Sequence, residues 1–346
     1  MKYNQLGRTG LLVSEICFGT MTFSGEGWLG GAIGKQNQNE ATALIEKSLA
    51  AGVNFLDTAD VYSVGQSEIM TGQALRDIGV ARSDVVLATK VYSRMGKGPN
   101  DAGSSRGHIM DGVAKSLERL KTDHIDLYQI HGTDPITPVE EIISALNDLV
   151  RQGMVRYIGV SNWTAWRIAK ANGIADKRGW NRIESLQAYY SVAGRDLERE
   201  LVPLMEEERI GCMVWSPLAG GYLSGKYSPD ASDAGSAAEA ESRRKTFDFP
   251  PIDKAKADRL VAAMRPIAKA HDTSVARVAL AYVLSKPWVS SLIIGARTEA
   301  QLNDNLEAGK LKLDTAELAR LDELSTLTPE YPGWMLDRQT SQRMTF

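Results

Sequence analysis

The sequence is poor in the residues that would tie it to a disulfide frame, a metal, a nucleic acid or a membrane. Its two cysteines, Cys17 and Cys212, stand far apart without a partner motif. They read as small buried residues in a reducing compartment, and they exclude a cysteine framework or thiolate cluster. Histidine is scarce too, and His108, His124 and His271 show no metal-ligand spacing among themselves. Satisfied core or surface roles are expected for these three, and no metal. A formal net charge of −3 leaves no basic footprint for nucleic acid or an anionic membrane. No apolar run is long enough to span a bilayer, and the opening "MKYNQLGRTG" lacks the apolar core of a signal peptide. The expectation is a cytoplasmic protein.

What is present is strand followed by helix, repeated. Short β-rich runs occupy 14–21, 53–60, 84–91, 124–132, 155–162, 185–191, 212–218 and 290–296. Segments with helical period lie between them. In "PVEEIISALNDLVRQG" the residues Val139, Ile142, Ile143, Leu146, Leu149 and Val150 form one apolar face. Thr137 and Pro138 are its expected N-cap and first turn, and Gly153 its stop. Eight strands alternating with helices, with no long linker across 1–346, predict an α/β fold of the (β/α)8 barrel (TIM barrel) type; a doubly wound open sheet is the runner-up. "YNQLGRTGLLVSEI" predicts a β-hairpin ahead of the barrel. Residues 222–252 are too long and polar for a simple connection and predict a mobile loop over a site, with 326–346 as a further rim segment.

A barrel of this kind does its chemistry at the C-terminal ends of its strands. "NFLDTADVYS" (54–63) runs from an apolar strand into Asp57, Asp60 and Tyr62. Lys90 ends the next strand, in "VLATKV", and His131 the one after, in "LYQIHG". Three successive strands thus deliver a carboxylate, an ammonium and an imidazole to one rim, together with a phenol. A phenol with a reference pKa of roughly 10 becomes a usable acid when an ammonium favours its anion, and a carboxylate behind the lysine keeps that lysine charged. Such a set suits proton transfer at the oxygen of a reacting carbon. Alone, the four residues fit a structural ion-pair network equally well. Asp60 is expected to be a turn or N-cap residue before "SEIMTGQALRDI".

At these residues the sequence resembles the aldo-keto reductases, and the likeness runs over nearly all of the chain. It is carried by "GTMTF" (19–23), "FLDTADVYSVGQSE" (55–68), "ATKV" (88–91), "DLYQIHGTDPITPVEE" (126–141), "VRYIGVSNW" (155–163), "WSPLAGGYLSGKY" (215–227) and "GARTEAQLNDN" (295–305). The resemblance implies a barrel enzyme that reduces aldehydes or ketones with NADPH, or oxidises secondary alcohols with NADP+. It makes Tyr62 the proton donor, Lys90 and Asp57 its tuning pair, and His131 the residue that orients the carbonyl.

By the same resemblance Thr20, Met21 and Asp57 border the cofactor, and Ser161, Asn162 and Gln187 hydrogen-bond the nicotinamide amide. Trp215 stacks on its ring. Ser216, Pro217, Leu218, Gly220, Gly221 and Lys226 surround the pyrophosphate, where small side chains admit backbone N–H groups. "GARTEAQLNDN" opens a helix whose N-terminus attracts phosphate. Gly295 leads into it, Arg297 is expected on a 2′-phosphate, and Gln301, Asp304 and Asn305 by the adenine and ribose. Trp28 and Tyr92 are candidate substrate contacts; Met95 and Trp334 are further candidates for an apolar pocket. The partner implied is a small-molecule carbonyl or alcohol, with aromatic aldehydes or bulky ketones favoured over small sugars.

Other patterns carry less. "GEGWLG" (25–30) has the G-x-G-x-x-G spacing but continues as polar "GAIGKQNQNE" rather than an apolar helix, and reads as a rim loop. "SRRK" (242–245) and "NWT" (162–164) match motifs without their contexts. Two other functions stay on the table. Lys90 at a strand end also fits a Schiff-base lyase, although Asp57 would keep it protonated and a lyase has no use for Trp215. A nicotinamide-binding regulatory subunit is the other, since potassium-channel β subunits resemble this family; in that branch the position of His131 is Asn.

Overall fold

The computed structural model describes residues 1–24, 33–227, 244 and 247–344. Tyr3–Gln5 (β1) and Leu12–Ser14 (β2) pair antiparallel as a hairpin. Eight parallel strands follow: Ile16–Gly19 (β3), Phe55–Asp57 (β4), Val86–Val91 (β5), Ile125–Ile130 (β6), Val155–Ser161 (β7), Ile183–Tyr189 (β8), Gly211–Trp215 (β9) and Val289–Ile294 (β10). They close into a barrel in sequence order, β10 pairing with β3. All eight predicted strands are present, and the open-sheet alternative is excluded.

Helices cover the outside. They are Gln38–Ala50 (α1), Gln66–Ile78 (α2), Arg106–Leu120 (α3), Val139–Arg151 (α4), Ala165–Arg178 (α5), Leu197–Glu208 (α6), Lys254–Ala270 (α7), Val275–Leu284 (α8), Glu299–Leu306 (α9), Thr315–Leu324 (α10) and Gly333–Arg343 (α11). Among the described residues no helix is long and apolar enough to cross a membrane.

Side chains alternate along a strand, so each barrel strand serves two cores. Ile16 and Phe18 point outward into the large cluster shared with the helices. Cys17 points inward and joins Phe55, Val86, Ala88, Leu127 and Met213. Leu6 and Val13 of the hairpin complete that inner cluster and plug the lower end of the barrel. The hairpin turn needs glycine: Gly7 has φ +59, and a Cβ there would lie 2.4 Å from the Glu184 carbonyl oxygen.

α4 shows how an amphipathic stripe becomes a packed face, with Val139, Ile142, Ile143, Leu146 and Leu149 buried. Its start differs by one residue from the sequence reading. Pro138 is the N-cap, and the Thr137 hydroxyl donates to Asp134 instead of capping. The fixed φ of proline sets the entry without a side-chain cap. At the other end of the chain α11 buries no residue, and Trp334 is 47% exposed beside Tyr331 rather than lining the barrel mouth.

Candidate active site

The same two-residue alternation that fills the barrel floor with hydrocarbon puts polar groups at its mouth. Phe55 is followed two residues on by Asp57, Ala88 by Lys90, and Leu127 by Gln129, while Gln187 of β8 reaches the same Asp57 carboxylate. Lys90 is fully buried, and a lone ammonium there would be driven to lose its proton. Instead its Nζ donates to Asp57 Oδ2 at 2.6 Å, to the Thr58 carbonyl at 2.7 Å and to the Tyr62 hydroxyl at 3.2 Å. Burial pulls the Lys90 pKa down, but the charges and hydrogen bonds of Asp57 and Tyr62 outweigh it and hold the ammonium above its ordinary value.

Tyr62 opens a 3-10 turn, Tyr62–Gly65, in which Ser63, Val64 and Gly65 have φ of 48°, 54° and 88°. Left-handed backbone at Val64 is costly for a β-branched residue, so the turn holds the phenol at some conformational expense. The Tyr62 ring meets the His131 imidazole edge-on, with centroids 5.6 Å apart. Loss of water around His131, and then the Lys90 charge, hold the imidazole pKa well below its usual value, so it is neutral at physiological pH.

Asp60 stands in a turn, one of the two roles the sequence suggested, but it does not cap the following helix. α2 is capped by Gly65 with no side-chain hydrogen bond. The Asp60 carboxyl is 1% exposed, its Oδ1 has no hydrogen-bond partner, and it faces a second polar cavity of about 570 Å³. Burial, with Glu68 nearby, pushes its pKa up to about 8 despite Arg119. A short apolar-to-polar transition looks the same in sequence whether the carboxylate caps a helix or is sealed behind it. Met95 lines this second cavity and not the cleft above the tetrad.

A cleft of about 930 Å³ begins at Asp57, Tyr62 and His131 and extends to α9. Its walls include Met21, Ser161, Asn162, Gln187, Trp215, Ser216, Pro217, Leu218, Gly220, Gly221, Lys226, Gly295, Arg297, Gln301, Asp304 and Asn305. Thr20 lies beneath it, bonded to the Asp57 carbonyl and to Ser67. Tyr92 is turned aside: its hydroxyl donates to the Thr133 carbonyl, and its ring fills the space beside Gly132. Trp28, "GEGWLG" and most of 222–252 lie outside the described residues.

Several of these side chains already have partners. Asn162 Oδ1 accepts from the Trp215 indole N–H at 3.1 Å, and its Nδ2 donates to the His131 carbonyl. It therefore ties two walls together. Asp304 accepts from Ser274 and Arg277, and Gln301 Oε1 from the Arg297 backbone N–H. Among the described residues the Arg297 guanidinium has no carboxylate partner. It stands two residues before α9, whose N-cap is Thr298. On the opposite side Ser216, Ala219, Gly220 and Gly221 all have positive φ, a turn that brings backbone close to the cleft. Cation, helix N-terminus and close backbone are the donor set that phosphates require, so the lining of this cleft suits a phosphate-bearing ligand.

Sequence reasoning missed three contributors. Gln129 bonds to Asp57 from inside the barrel. Phe249 stacks on Trp215 at an interplanar angle of 9°, and Phe247 joins that wall. The only hint of Gln129 was a polar residue at an inward position of an apolar strand. Nothing local marked the phenylalanines, which return from a distant loop.

Comparison with known proteins gives a consistent answer. The sequence profile of the Aldo/keto reductase family matches residues 15–326. A probable voltage-gated potassium channel subunit beta of Oryza sativa subsp. japonica is 38% identical, covering 95% of this chain and 94% of its own. An uncharacterized oxidoreductase of Bacillus subtilis is 36% identical over 96% and 100% of the two chains. The versiconal hemiacetal acetate reductase of Aspergillus parasiticus is 34% identical over 96% and 99%.

Proposed function

The chain belongs to the aldo/keto reductase family, whose general chemistry is carbonyl reduction, and we propose that it is an NADPH-dependent reductase of aldehydes or ketones with Tyr62 as proton donor. One observation carries the reading: a fully buried Lys90 bridges Asp57 and Tyr62 at the barrel mouth, at 2.6 and 3.2 Å. A structural ion pair would need only the first of these contacts.

When bound, the cofactor supplies the hydride. The residues of the chain supply everything else. Lys90 donates to the phenolic oxygen, so the Tyr62 proton is directed away from it and can pass to the substrate oxygen. The adjacent ammonium then stabilises the phenolate that remains. The neutral His131 offers a hydrogen bond to the same substrate oxygen without adding charge to the site. Arg297 lines the cleft two residues ahead of α9, which supports the preference for NADPH over NADH, because a guanidinium there can pair with a 2′-phosphate. Trp215, Phe247 and Phe249 line the cleft and suit a flat apolar substrate, which favours aromatic aldehydes or bulky ketones.

The relatives named as potassium channel β subunits support a second reading, a cofactor-binding regulatory subunit. His131 argues for the enzyme. The test is loss of reduced-nicotinamide absorbance with NADPH and an activated aromatic aldehyde, with NADH in parallel. Turnover is expected for the wild type and a loss of about a hundredfold or more for Tyr62→Phe. Tight NADPH binding with no turnover across an aldehyde panel would leave the regulatory reading standing, and absence of both would remove the assignment.

A further inference from the structure

The residue that organises the floor of this site is one that no part of the mechanism has used. Gln129 is fully buried on β6, facing into the barrel. Its Nε2 donates to Asp57 Oδ1 at 3.2 Å. Its Oε1 accepts from Gln187 Nε2 at 3.3 Å, and the same Gln187 nitrogen donates to Asp57 Oδ1 at 2.9 Å. Two amides and a carboxylate thus form a closed triangle. Turning either amide over would set oxygen against oxygen, so each holds the other in one orientation. The space for Gln129 comes from Gly159 on β7, where a Cβ would stand 3.2 Å from Gln129 Cγ and 2.2 Å from Ser185 Oγ.

The consequence lies on the cleft side. Both protons of the Gln187 amide nitrogen are directed into the triangle, so its carbonyl Oε1 is what the cleft receives. We propose that Gln129 is a positioning residue: it fixes the polarity of the Gln187 amide, so that the site presents an acceptor to the –NH2 of a nicotinamide carboxamide while both glutamines brace Asp57. This rests on the proposed reductase reading. It adds that discrimination for the carboxamide is set from inside the barrel by a side chain that never touches the cofactor.

The test compares binding of NADPH and of its 3-acetylpyridine analogue, which keeps the carbonyl and lacks the –NH2. Affinities are read by quenching of protein fluorescence, so no turnover is needed. The wild type is expected to prefer NADPH by about tenfold, the worth of roughly one hydrogen bond. Gln129→Met has similar bulk and no amide, and should reduce that preference to about twofold, with circular dichroism unchanged. Gln129→Glu is nearly isosteric. Buried beside the Asp57 carboxylate, it is expected to carry a proton, donate it to Asp57 Oδ1 in place of the amide N–H and keep a carbonyl oxygen facing Gln187. It should therefore restore most of the preference, which a general packing defect would not do. If Gln129→Met fails to fold, Gln129→Leu takes its place. An unchanged ratio in the apolar variant, or no preference in the wild type, overturns the inference while leaving the reductase reading intact. A wild type that binds neither dinucleotide overturns both.

Discussion

Asp57 ends β4 and Asp60 lies three residues on, in the turn that follows, and both are almost fully buried. Asp57 accepts from Lys90, Gln129 and Gln187, so both of its oxygens are paired. Asp60 leaves one oxygen without a partner, and its carboxyl holds a proton up to about pH 8. Burial is common to the two, so burial does not make the difference. Three donors delivered by neighbouring strands do. A buried carboxylate left without donors, like Asp60, lowers its cost by taking up a proton.

The strongest way to break the contrast is to strip Asp57 of its cation. Lys90→Met should destabilise the protein by about 3–5 kcal/mol, because it leaves an uncompensated charge in the barrel. It should also reduce turnover by about a thousandfold, read from urea unfolding and steady-state rates. Wild-type stability in this variant would mean that the glutamines alone sustain the carboxylate.

Asp60→Asn should act in the opposite direction. The folded protein keeps the Asp60 proton up to about pH 8, whereas an unfolded aspartate releases it near roughly 3.9. Between these values the native state binds the extra proton, so wild-type stability falls as pH rises through that window. The asparagine variant should therefore match the wild type near pH 4 and exceed it by several kcal/mol, on the order of 5, above pH 8, from a difference of about 4 pKa units at roughly 1.36 kcal/mol each. Equal pH dependence of the two proteins in chemical denaturation would show that Asp60 is ionised when folded.

The smallest effect sharpens the comparison from a third carboxylate. Glu68 is as buried as Asp60, yet it accepts from Thr89 and Arg119, each at 2.6 Å. Thr89→Val removes one of these donors and should cost about 1–2 kcal/mol with little change in rate. A loss of activity as large as that of Lys90→Met would mean that the two cavities are coupled.

Much of this was legible in the sequence because the rules that govern it are local. Short β-rich runs marked β3 through β10, helical period marked the outer layer, and the positions of Asp57, Lys90 and His131 at strand ends followed from where the strands stop. What failed was information about direction. Asp60 reads like a cap, but the turn at Ser63 and Val64 carries the chain past it and leaves its carboxyl behind the loop. Tyr92 reads like a rim aromatic, but its hydroxyl finds the Thr133 carbonyl. Asn162 lines the cleft as expected for its strand end, and its amide also links Trp215 to the His131 backbone, a contact with no local signature.

The sequence by itself determined that eight strands would form, that alternate residues would share a face, and that a carboxylate, a phenol, an ammonium and an imidazole would gather at one rim. Only the tertiary structure decided which of two neighbouring aspartates would be surrounded by donors, which way the amide of Gln187 would point, and that Phe249 would lie against Trp215. The physical reason is range. Periodicity and strand termination are set by residues within a few positions of one another. The pairing of a buried carboxylate and the orientation of an amide depend on donors such as Gln129 and Gln187, brought to Asp57 from strands 72 and 130 residues away when the barrel closes.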